Sequence, residues 1–334
     1  MNNPHLWRKR QLIESGELTT WSRRGAAYAE TQWQWIETAL QVGLGVLGLR
    51  SRGERNALSP VVNRLHFTIE TLPPALDGFT ILHLSDLHAD GLAGLAEALG
   101  ERLQELDVDL AVLTGDYRFA VSGSYGQVAD AMERILAKVK ARHGILGILG
   151  NHDSAELVPL LEGLGVRVLL NDALEVAQGP GSLWVVGVDD PHYYGCDDLP
   201  GALREVPQDA FKVLLVHTPE MIPEAAQHGI DLYLCGHTHG GQICLPLIGP
   251  LLTQANCPRK YARGAWRYEQ VHGYTNTGAG VSGVAVRFLC PPEIGLIELH
   301  AARRSWDHSA ADLKPHREQV QSAPMAGSSQ LLPV

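Results

Sequence analysis

Histidine, aspartate and asparagine side chains recur just after apolar runs between residues 79 and 241 of this 334-residue sequence. The run "FTILHL" is followed by Asp86 and His88, and the run "LYLC" is followed by His237 and His239. Imidazole and carboxylate groups without thiolates suit Mn, Fe, Zn or Ni, so this pattern predicts a site for one of these metals. The candidate ligands are Asp86, His88, Asp116, Asn151, His217, His237 and His239.

The size of this candidate set indicates more than one metal ion. Seven side chains are too many for a single ion, whereas two ions that shared Asp116 would each have four protein ligands. Positions would then remain for a water molecule and a phosphate oxygen. Paired ions about 3.5–4 Å apart clamp the attacking and leaving oxygens of an in-line displacement. The residues therefore favour two-metal phosphoryl chemistry.

The elements that position these side chains follow an alternating pattern from Phe79 onward. The runs "FTILHL", "VDLAVL" and "HGILGIL" predict strands, and the apolar spacing in "LAGLAEALGERLQEL" and "YGQVADAMERILAKVKA" predicts helices between them. Further strands are predicted at "VRVLL", "LWVVGV", "KVLLV" and "LYLC". This alternation is typical of an α/β protein with parallel strands. Because ligand sites in open α/β sheets lie beyond the carboxyl ends of the strands, the polar residues are expected to meet in one crevice.

The composition of the whole chain limits its partners and its compartment. A formal charge of −10 and a pI near 5.8 argue against binding to nucleic acid, and no such partner is expected. The five cysteines include no C-x-x-C pair, so neither a disulfide framework nor a structural zinc site is indicated. A reducing compartment, the cytoplasm, is the expected location.

The first 64 residues differ from the rest of the chain in charge and in aromatic content. Nine basic and five acidic residues give them a charge of +4, which leaves −14 for the remainder, and they hold four of the seven tryptophans. Their apolar run Ala39–Leu49 is too short to cross a bilayer, which needs about 20 apolar residues. Two interpretations remain open, a helix at a membrane interface and a helix packed on the body of the protein.

Three segments are predicted from these patterns. Residues 1–64 form a helical segment, residues 65–300 form the domain that carries the candidate ligands, and residues 301–334 form a tail. The tail is rich in Ser, Ala, Gln and Pro without an apolar period, which predicts disorder.

Five short motifs carry a resemblance to a known family. The blocks "DLH", "GD", "GNHD", an isolated "H" and "GHTH" occur in this order, and together they resemble the signature blocks of the calcineurin-like metallophosphoesterases. The form "GHTHGGQ", with "VSGVAVRF" and "PPEIGLIEL" downstream, is similar to a bacterial subfamily of membrane-associated phosphodiesterases. That subfamily includes enzymes that split the pyrophosphate of UDP-diacylglucosamine. The resemblance extends from about Phe79 to His300 and implies an α/β fold with a two-sheet β-sandwich flanked by helices.

The resemblance also implies a role for each candidate residue. The first metal would be held by Asp86, His88 and His239, the second by Asn151, His217 and His237, and Asp116 would bridge the two. A hydroxide between the ions would attack phosphorus directly, without a covalent enzyme intermediate. His152, oriented by Asp153, would protonate the leaving oxygen. Manganese is the expected metal, and Fe, Zn and Ni are alternatives.

The expected substrate is a small molecule or lipid that contains phosphate, in a phosphodiester or a pyrophosphate bond. Arg118 is a candidate phosphate contact, with a structural ion pair as the alternative. Tyr193 and Tyr194 are candidate substrate contacts in a rim loop. The Trp-rich, basic N-terminus favours peripheral contact with the inner membrane and a membrane substrate. The expected substrate is lipid-linked or a nucleotide. Two alternatives remain: a soluble phosphatase that acts on nucleotides or phosphoproteins, and a metal-free binding protein on the same fold. The second is disfavoured because every ligand position is filled.

Overall fold

The computed structural model describes residues 3–18, 38–120, 125–250, 253 and 255–302. The described residues up to Ala302 form one compact unit. Apart from its first two positions, the tail predicted for residues 301–334 lies outside the described residues.

Six strands form the first of two large sheets. They are β1 (Val61–Ile69), β2 (Phe79–Leu84), β3 (Leu110–Leu113), β4 (Ile145–Gly147), β5 (Val166–Val168) and β14 (Glu293–Ala301). The strand order is β1-β14-β2-β3-β4-β5, and the pairs from β2 to β5 are all parallel. The segments that follow β2, β3 and β4 therefore leave the sheet at the same edge.

Six further strands form the second sheet. They are β6 (Asp172–Gln178), β7 (Gly181–Gly187), β8 (Phe211–Leu215), β9 (Leu232–Cys235), β12 (Gly264–Tyr268) and β13 (Val271–Thr275). The order is β12-β13-β9-β8-β7-β6, and β7, β8, β9 and β13 are parallel neighbours. A small hairpin, β10 (Cys244–Leu245) with β11 (Gly249–Pro250), stands apart from both sheets.

The helices of the described residues lie before and between the strands. They are α1 (Pro4–Glu14), α2 (Arg50–Ala57), α3 (Leu95–Leu103), α4 (Gly126–Leu136), α5 (Leu157–Gly163), α6 (Leu199–Ala202) and α7 (Ile222–Gln227). Residues 38–46 are also helical, and 3-10 turns occur at Pro74–Leu76, His239–Gly241 and Arg259–Tyr261.

The apolar side chains form three layers of core. Between the sheets, Ile81 and Val112 of the first sheet pack in one cluster with Val213 and Leu234 of the second. The other face of the first sheet is covered by α3, α4 and α5, and that of the second by α7. Because both faces of the central strands β2, β3, β8 and β9 are buried, these strands are nearly continuous apolar runs.

The α/β class and the two-sheet sandwich flanked by helices are confirmed. The strands predicted from Phe79 onward occur where they were expected, and helices α3 and α4 lie within the predicted segments. The structure adds β1, which pairs in parallel with β14 at the edge of the first sheet. The predicted boundary between residues 64 and 65 therefore falls inside a strand.

The N-terminal segment combines packed helices with an exposed apolar run. In α2, Gly53 lies so close to Val286 and Phe288 that a Cβ atom would collide with both. By contrast, Val46 is 83% exposed and Leu47 is 70% exposed. In the described part of the chain, no helix is both long and apolar enough to span a bilayer.

Candidate metal centre

All seven predicted ligands follow the carboxyl ends of strands and meet in one crevice at the edge of the two sheets. The first sheet supplies Asp86 and His88 after β2, Asp116 after β3 and Asn151 after β4, and the second supplies His217 after β8 and His237 and His239 after β9. Six of them are buried, and Asn151 is half-buried. The crevice therefore needs both sheets.

One group of ligand atoms, which we call the first group, comprises Asp86, His88 and His239. His88 Nε2 lies 3.2 Å from His239 Nε2, and His239 Nε2 lies 3.5 Å from Asp86 Oδ1. The two imidazole rings are nearly parallel, with centroids 5.1 Å apart. The three side chains thus point their donor atoms at one small volume.

The second group comprises Asn151, His217 and His237. Asn151 Oδ1 lies 2.9 Å from both His217 Nε2 and His237 Nδ1, and these two nitrogens are 3.3 Å apart. Its three donor atoms are thus as close together as those of the first group.

Asp116 lies between the two groups. Its Oδ2 is 3.7 Å from His88 Nε2 and 3.3 Å from His217 Nε2, while its Oδ1 accepts a hydrogen bond of 2.9 Å from the backbone N–H of His152. One oxygen therefore faces both groups, which is the position of a bridging ligand.

The protonation of the imidazoles fits a pair of cations. His88 Nδ1 and His217 Nδ1 each lie 2.7 Å from a backbone carbonyl oxygen, of Arg118 and Thr114 respectively. A carbonyl only accepts, so each Nδ1 carries the proton when its ring is neutral, and each Nε2 then presents a lone pair to the crevice. Such carbonyl contacts commonly orient metal-binding histidines.

Burial favours the neutral form of the two imidazoles in the first group, His88 and His239. It lowers the pKa of His88 to about 3 and holds the pKa of His239 well below its ordinary value. The second group differs: burial opposes the charge on His217, yet the Asp116 carboxylate beside it raises the pKa of His217 overall. A metal ion bound there would take the place of that proton, and the nitrogen and oxygen donors suit a divalent transition metal.

The backbone at the ligands is strained. Asp86, His88, Asp116, His237 and His239 have φ angles of 48°, 37°, 56°, 70° and 49°, in the left-handed region that residues other than glycine rarely adopt. Strain of this kind collects at functional sites, where the surrounding packing enforces it.

Glycines let these strained segments approach one another. A Cβ atom at Gly150 would collide with the Asp116 carboxylate, and one at Gly236 would collide with Ser85 and Asp86. The glycine of "GNHD" and that of "GHTH" are therefore required by close contact between loops.

The predicted catalytic pair has a different arrangement from the expected one. The half-buried His152 ring lies 4.9 Å from the His88 ring, and its Nδ1 is 2.8 Å from the carbonyl oxygen of Phe119. Asp153 instead accepts hydrogen bonds from the backbone N–H groups of Asp116, Tyr117 and Gly150. The contact that orients the His152 ring is thus made by Phe119, and Asp153 ties two loops together.

The predicted substrate contacts lie around this crevice with unequal exposure. Arg118 is buried, and its guanidinium lies 4.6 Å from the centre of the Tyr125 ring. Tyr193 is half-buried, whereas Tyr194 is buried in a cluster with Ile13 and Cys196. A phosphate contact by Arg118 and a substrate contact by Tyr193 stay predictions.

Three residues near the ligands escaped the sequence analysis. Arg287 is fully buried and donates to the carbonyl oxygens of the segment 277–280, with its Nη2 3.4 Å from His239 Nδ1. The ring of His192 lies 4.5 Å from that of His237, and its Nδ1 is 2.8 Å from Glu220. Arg287 lies within "VSGVAVRF", and His192 directly precedes the two tyrosines that were predicted to contact substrate, so the signal was their position in motifs that the sequence had already marked.

The third residue is Arg10, in the first helix. It is fully buried and bonds to the backbone on both sides of Asn151 and His152. It stands in a run of three basic residues, "RKR", which is typical of a solvated helix face, so no sequence signal marked it.

The sequence is similar to several known proteins. The calcineurin-like phosphoesterase family matches residues 79–241. The metallophosphoesterase YkuE of Bacillus subtilis (strain 168) is 32% identical over 235 residues, which cover 68% of this chain and 81% of YkuE. The phosphodiesterase YaeI of Escherichia coli (strain K12) is 29% identical over 248 residues, with 71% of this chain and 86% of YaeI covered. A transmembrane protein with a metallophosphoesterase domain from Bos taurus is 28% identical over 281 residues, with 78% and 60% covered.

The position of Asp116 predicts unequal effects of two similar substitutions. We expect Asp116→Asn to lower the occupancy of both metals, because its Oδ2 faces both groups, and Asp86→Asn to lower mainly that of one. Metal content per chain, measured by plasma mass spectrometry after dialysis, tests this. Asp77→Asn, an exposed carboxylate, is the control. Equal metal content in the Asp116 and Asp86 variants would contradict a bridge.

Proposed function

This chain belongs to the calcineurin-like phosphoesterase family, and we propose that it binds two divalent metal ions and hydrolyses a phosphodiester or pyrophosphate bond. The family consists of metal-dependent phosphoester hydrolases. The observation that carries the two-metal proposal is the single Asp116 oxygen that faces both groups of donor atoms. Manganese is the proposed metal, with Fe, Zn and Ni as alternatives, because imidazole and oxygen donors without thiolates suit these metals.

The chain's own residues would divide the chemistry between them. Bound ions would lower the pKa of a water molecule toward about 7 and neutralise phosphoryl oxygens. The Asn151, His217 and His237 side chains would hold one ion, with Asp86, His88 and His239 on the other. His152 Nδ1 faces the carbonyl oxygen of Phe119, so its Nε2 points away from that contact. We propose that His152 Nε2 donates a proton to the leaving oxygen.

A diester or pyrophosphate is favoured over a phosphoprotein as the substrate. The relative YaeI is named a phosphodiesterase, and the sequence matches it over 71% of this chain. A soluble phosphatase that acts on nucleotides or phosphoproteins is the second candidate. These two candidates share the metal centre and differ only in substrate.

Metal removal and a substrate panel test the proposal together. We expect exhaustive chelation to abolish hydrolysis and manganese to restore it, because bound ions would activate the attacking water molecule and neutralise the phosphoryl charge. The panel comprises a UDP-linked lipid, a cyclic nucleotide, bis(nitrophenyl) phosphate and a phosphopeptide, each with added manganese. Full activity in protein shown to be free of metal would refute the proposal. Turnover of the phosphopeptide alone would favour the second candidate.

Substitution of His152 separates proton transfer from metal binding. We expect His152→Asn to keep about two metals per chain and to lose roughly 10²–10⁴ in kcat, the range typical of a positioned general acid. The loss should shrink for a nitrophenyl ester, because nitrophenolate leaves without a proton. Steady-state kinetics on an alkyl and a nitrophenyl diester, with metal analysis, would test this, and His66→Asn on the exposed sheet face is the control. An equal loss on both esters would remove His152 from this role.

We further propose that one surface of the protein rests on an anionic membrane. Val46 and Leu47 project into solvent just before α2, and the tip of the β10–β11 hairpin exposes Leu247 and Ile248. Helix α2 and strand β10, which follow and precede these exposed residues in the chain, both contact the segment 286–289: Arg287 N donates to Gly53 O at 3.0 Å, and Cys244 N donates to Phe288 O at 2.9 Å.

Basic side chains adjoin this apolar surface and would attract anionic lipid. Helix α2 exposes Arg50, Arg52 and Arg55 within eight residues. The chain as a whole carries a charge of −10, so such a basic surface is a local feature. Exposed apolar and basic side chains together are typical of proteins that bind at a membrane interface.

Point substitutions test membrane contact more cleanly than removal of residues 1–64, which would also remove Arg10 and part of β1. We expect Leu47→Ser with Leu247→Ser to weaken sedimentation with phosphatidylglycerol vesicles several-fold while turnover of a small diester stays unchanged. Leu18→Ser, also at an exposed leucine, is the control. Wild-type protein that does not bind these vesicles, or a double variant that binds as the wild type does, would contradict the proposal.

A further inference from the structure

The first helix of the chain makes contacts that reach the metal centre. Helix α1 begins after Asn3, whose side chain caps it by accepting from Leu6 N, and it lies outside the matched family region of residues 79–241. Its Arg10 has no exposed surface. A buried guanidinium is unfavourable unless each of its donors is matched, so its partners indicate what the helix is attached to.

Arg10 is matched on every side. Nη1 is paired with the carboxylate of Asp189, and Nε donates to Glu14 Oε1 at 3.0 Å. Nη2 donates to two backbone carbonyl oxygens, of Asp153 at 2.6 Å and of Gly150 at 3.3 Å. The guanidinium carbon lies 3.8 Å from the centre of the Tyr194 ring. Only the flat, forked guanidinium group can satisfy this set.

The two carbonyls that Arg10 holds stand on either side of Asn151 and His152. Glu14 adds a third attachment to the same loop, because its Oε1 accepts from Ala155 N at 2.9 Å. The loop that carries one ligand of the second group and the proposed acid is thus bound from the side of α1 at three backbone positions.

The same helix also holds the loop of residues 189–198. Lys9 Nζ donates to Gly195 O at 2.5 Å, and Asn3 Nδ2 donates to Asp198 Oδ2 at 3.0 Å. Ile13 packs in one buried cluster with Tyr194 and Cys196. This loop carries His192, whose ring lies against His237 of the second group. Two loops that border the second group are therefore fastened to one helix.

We propose that Arg10 is a positioning residue that sets the binding of the metal at Asn151, His217 and His237. The inference rests on the proposed metal centre. The first group takes its side chains from the loops after β2 and β9, and the Arg10 hydrogen bonds go to neither. Loss of Arg10 would release the backbone of residues 150–153. The side-chain oxygen Oδ1 of Asn151 would then no longer be held 2.9 Å from its two histidine partners.

The test is a manganese titration of the metal-free full chain with three variants. Arg10→Gln removes the guanidinium group and its charge, and Arg10→Lys keeps the positive charge without the guanidinium group. Arg8→Gln, on an exposed residue of the same helix, is the matched control. Residues that orient metal ligands typically contribute about 10–100-fold to metal affinity. We therefore expect Arg10→Gln and Arg10→Lys to bind one of the two ions about 10–100-fold more weakly. The other ion should be weakened by a clearly smaller factor, which arises only because Asp116 accepts from the His152 N–H of the same loop.

Electron paramagnetic resonance gives a readout independent of activity. Manganese ions coupled as a pair give a spectrum unlike that of isolated ions, so at limiting metal the Arg10 variants should lose the coupled signal while Arg8→Gln keeps it. For a small diester, kcat should fall with little change in KM, since the loop holds a ligand and the proposed acid.

A second variant covers the case in which Arg10→Gln fails to fold because Asp189 is left buried and unpaired. Arg10→Gln with Asp189→Asn removes both charges, and the same loss of one metal is expected. Wild-type affinity for both ions in any folded Arg10 variant would overturn the inference, as would an equal loss of both. Wild-type protein that binds no manganese would instead refute the proposed function on which the inference rests.

Discussion

The carboxylate of Asp116 is the interaction on which the rest of the centre depends. One oxygen faces both groups of donors and the other accepts from the His152 backbone, so a shift of this side chain would disturb three loops at once. The surrounding contacts hold it in place: its own N–H donates to Asp153, and its carbonyl accepts from the N–H of His88 at 2.9 Å. Gly150 lies against the carboxylate, where any larger residue would displace it. The strained left-handed backbone of Asp116 follows from these simultaneous demands.

The two sheets are needed because neither alone supplies a complete set of donors. Asp86 and His239 come from different sheets, and the Asp86 carboxylate accepts from the backbone N–H of His237 at 2.9 Å. The inter-sheet core of residues such as Ile81 and Leu234 fixes the spacing of the strand ends. Close packing in such a layer resists small changes in spacing, so the apolar interior determines the distances between polar side chains.

The ligand set could be predicted from the sequence because each ligand follows an apolar strand, and apolar runs that end in polar residues can be recognised in the sequence alone. The same reasoning placed strands β2, β3, β8 and β9 and helices α3 and α4. It could not show that His152 is oriented by Phe119, since that contact depends on how two loops cross. The role of Arg10 could not be predicted from the sequence for a related reason, because Gly150 and Asp189, which Arg10 contacts, are 140 and 179 residues away. The periodicity of apolar residues predicts which face of a helix or strand is buried. A single buried charged residue does not change that periodicity, so the sequence does not reveal it.

The contacts between α1 and distant segments also limit when these contacts can form during protein synthesis. Lys9 and its partner Gly195 are 186 residues apart, so at about 5–20 residues per second the helix waits on the order of 10–40 s before its acceptor exists. Strand β1 waits longer, because it pairs with β14, which begins at Glu293. Helix α1 and strand β1 are thus synthesised well before the segments that they bind. The metal centre can be complete only after the loop that follows β9, with His237 and His239, has also been synthesised.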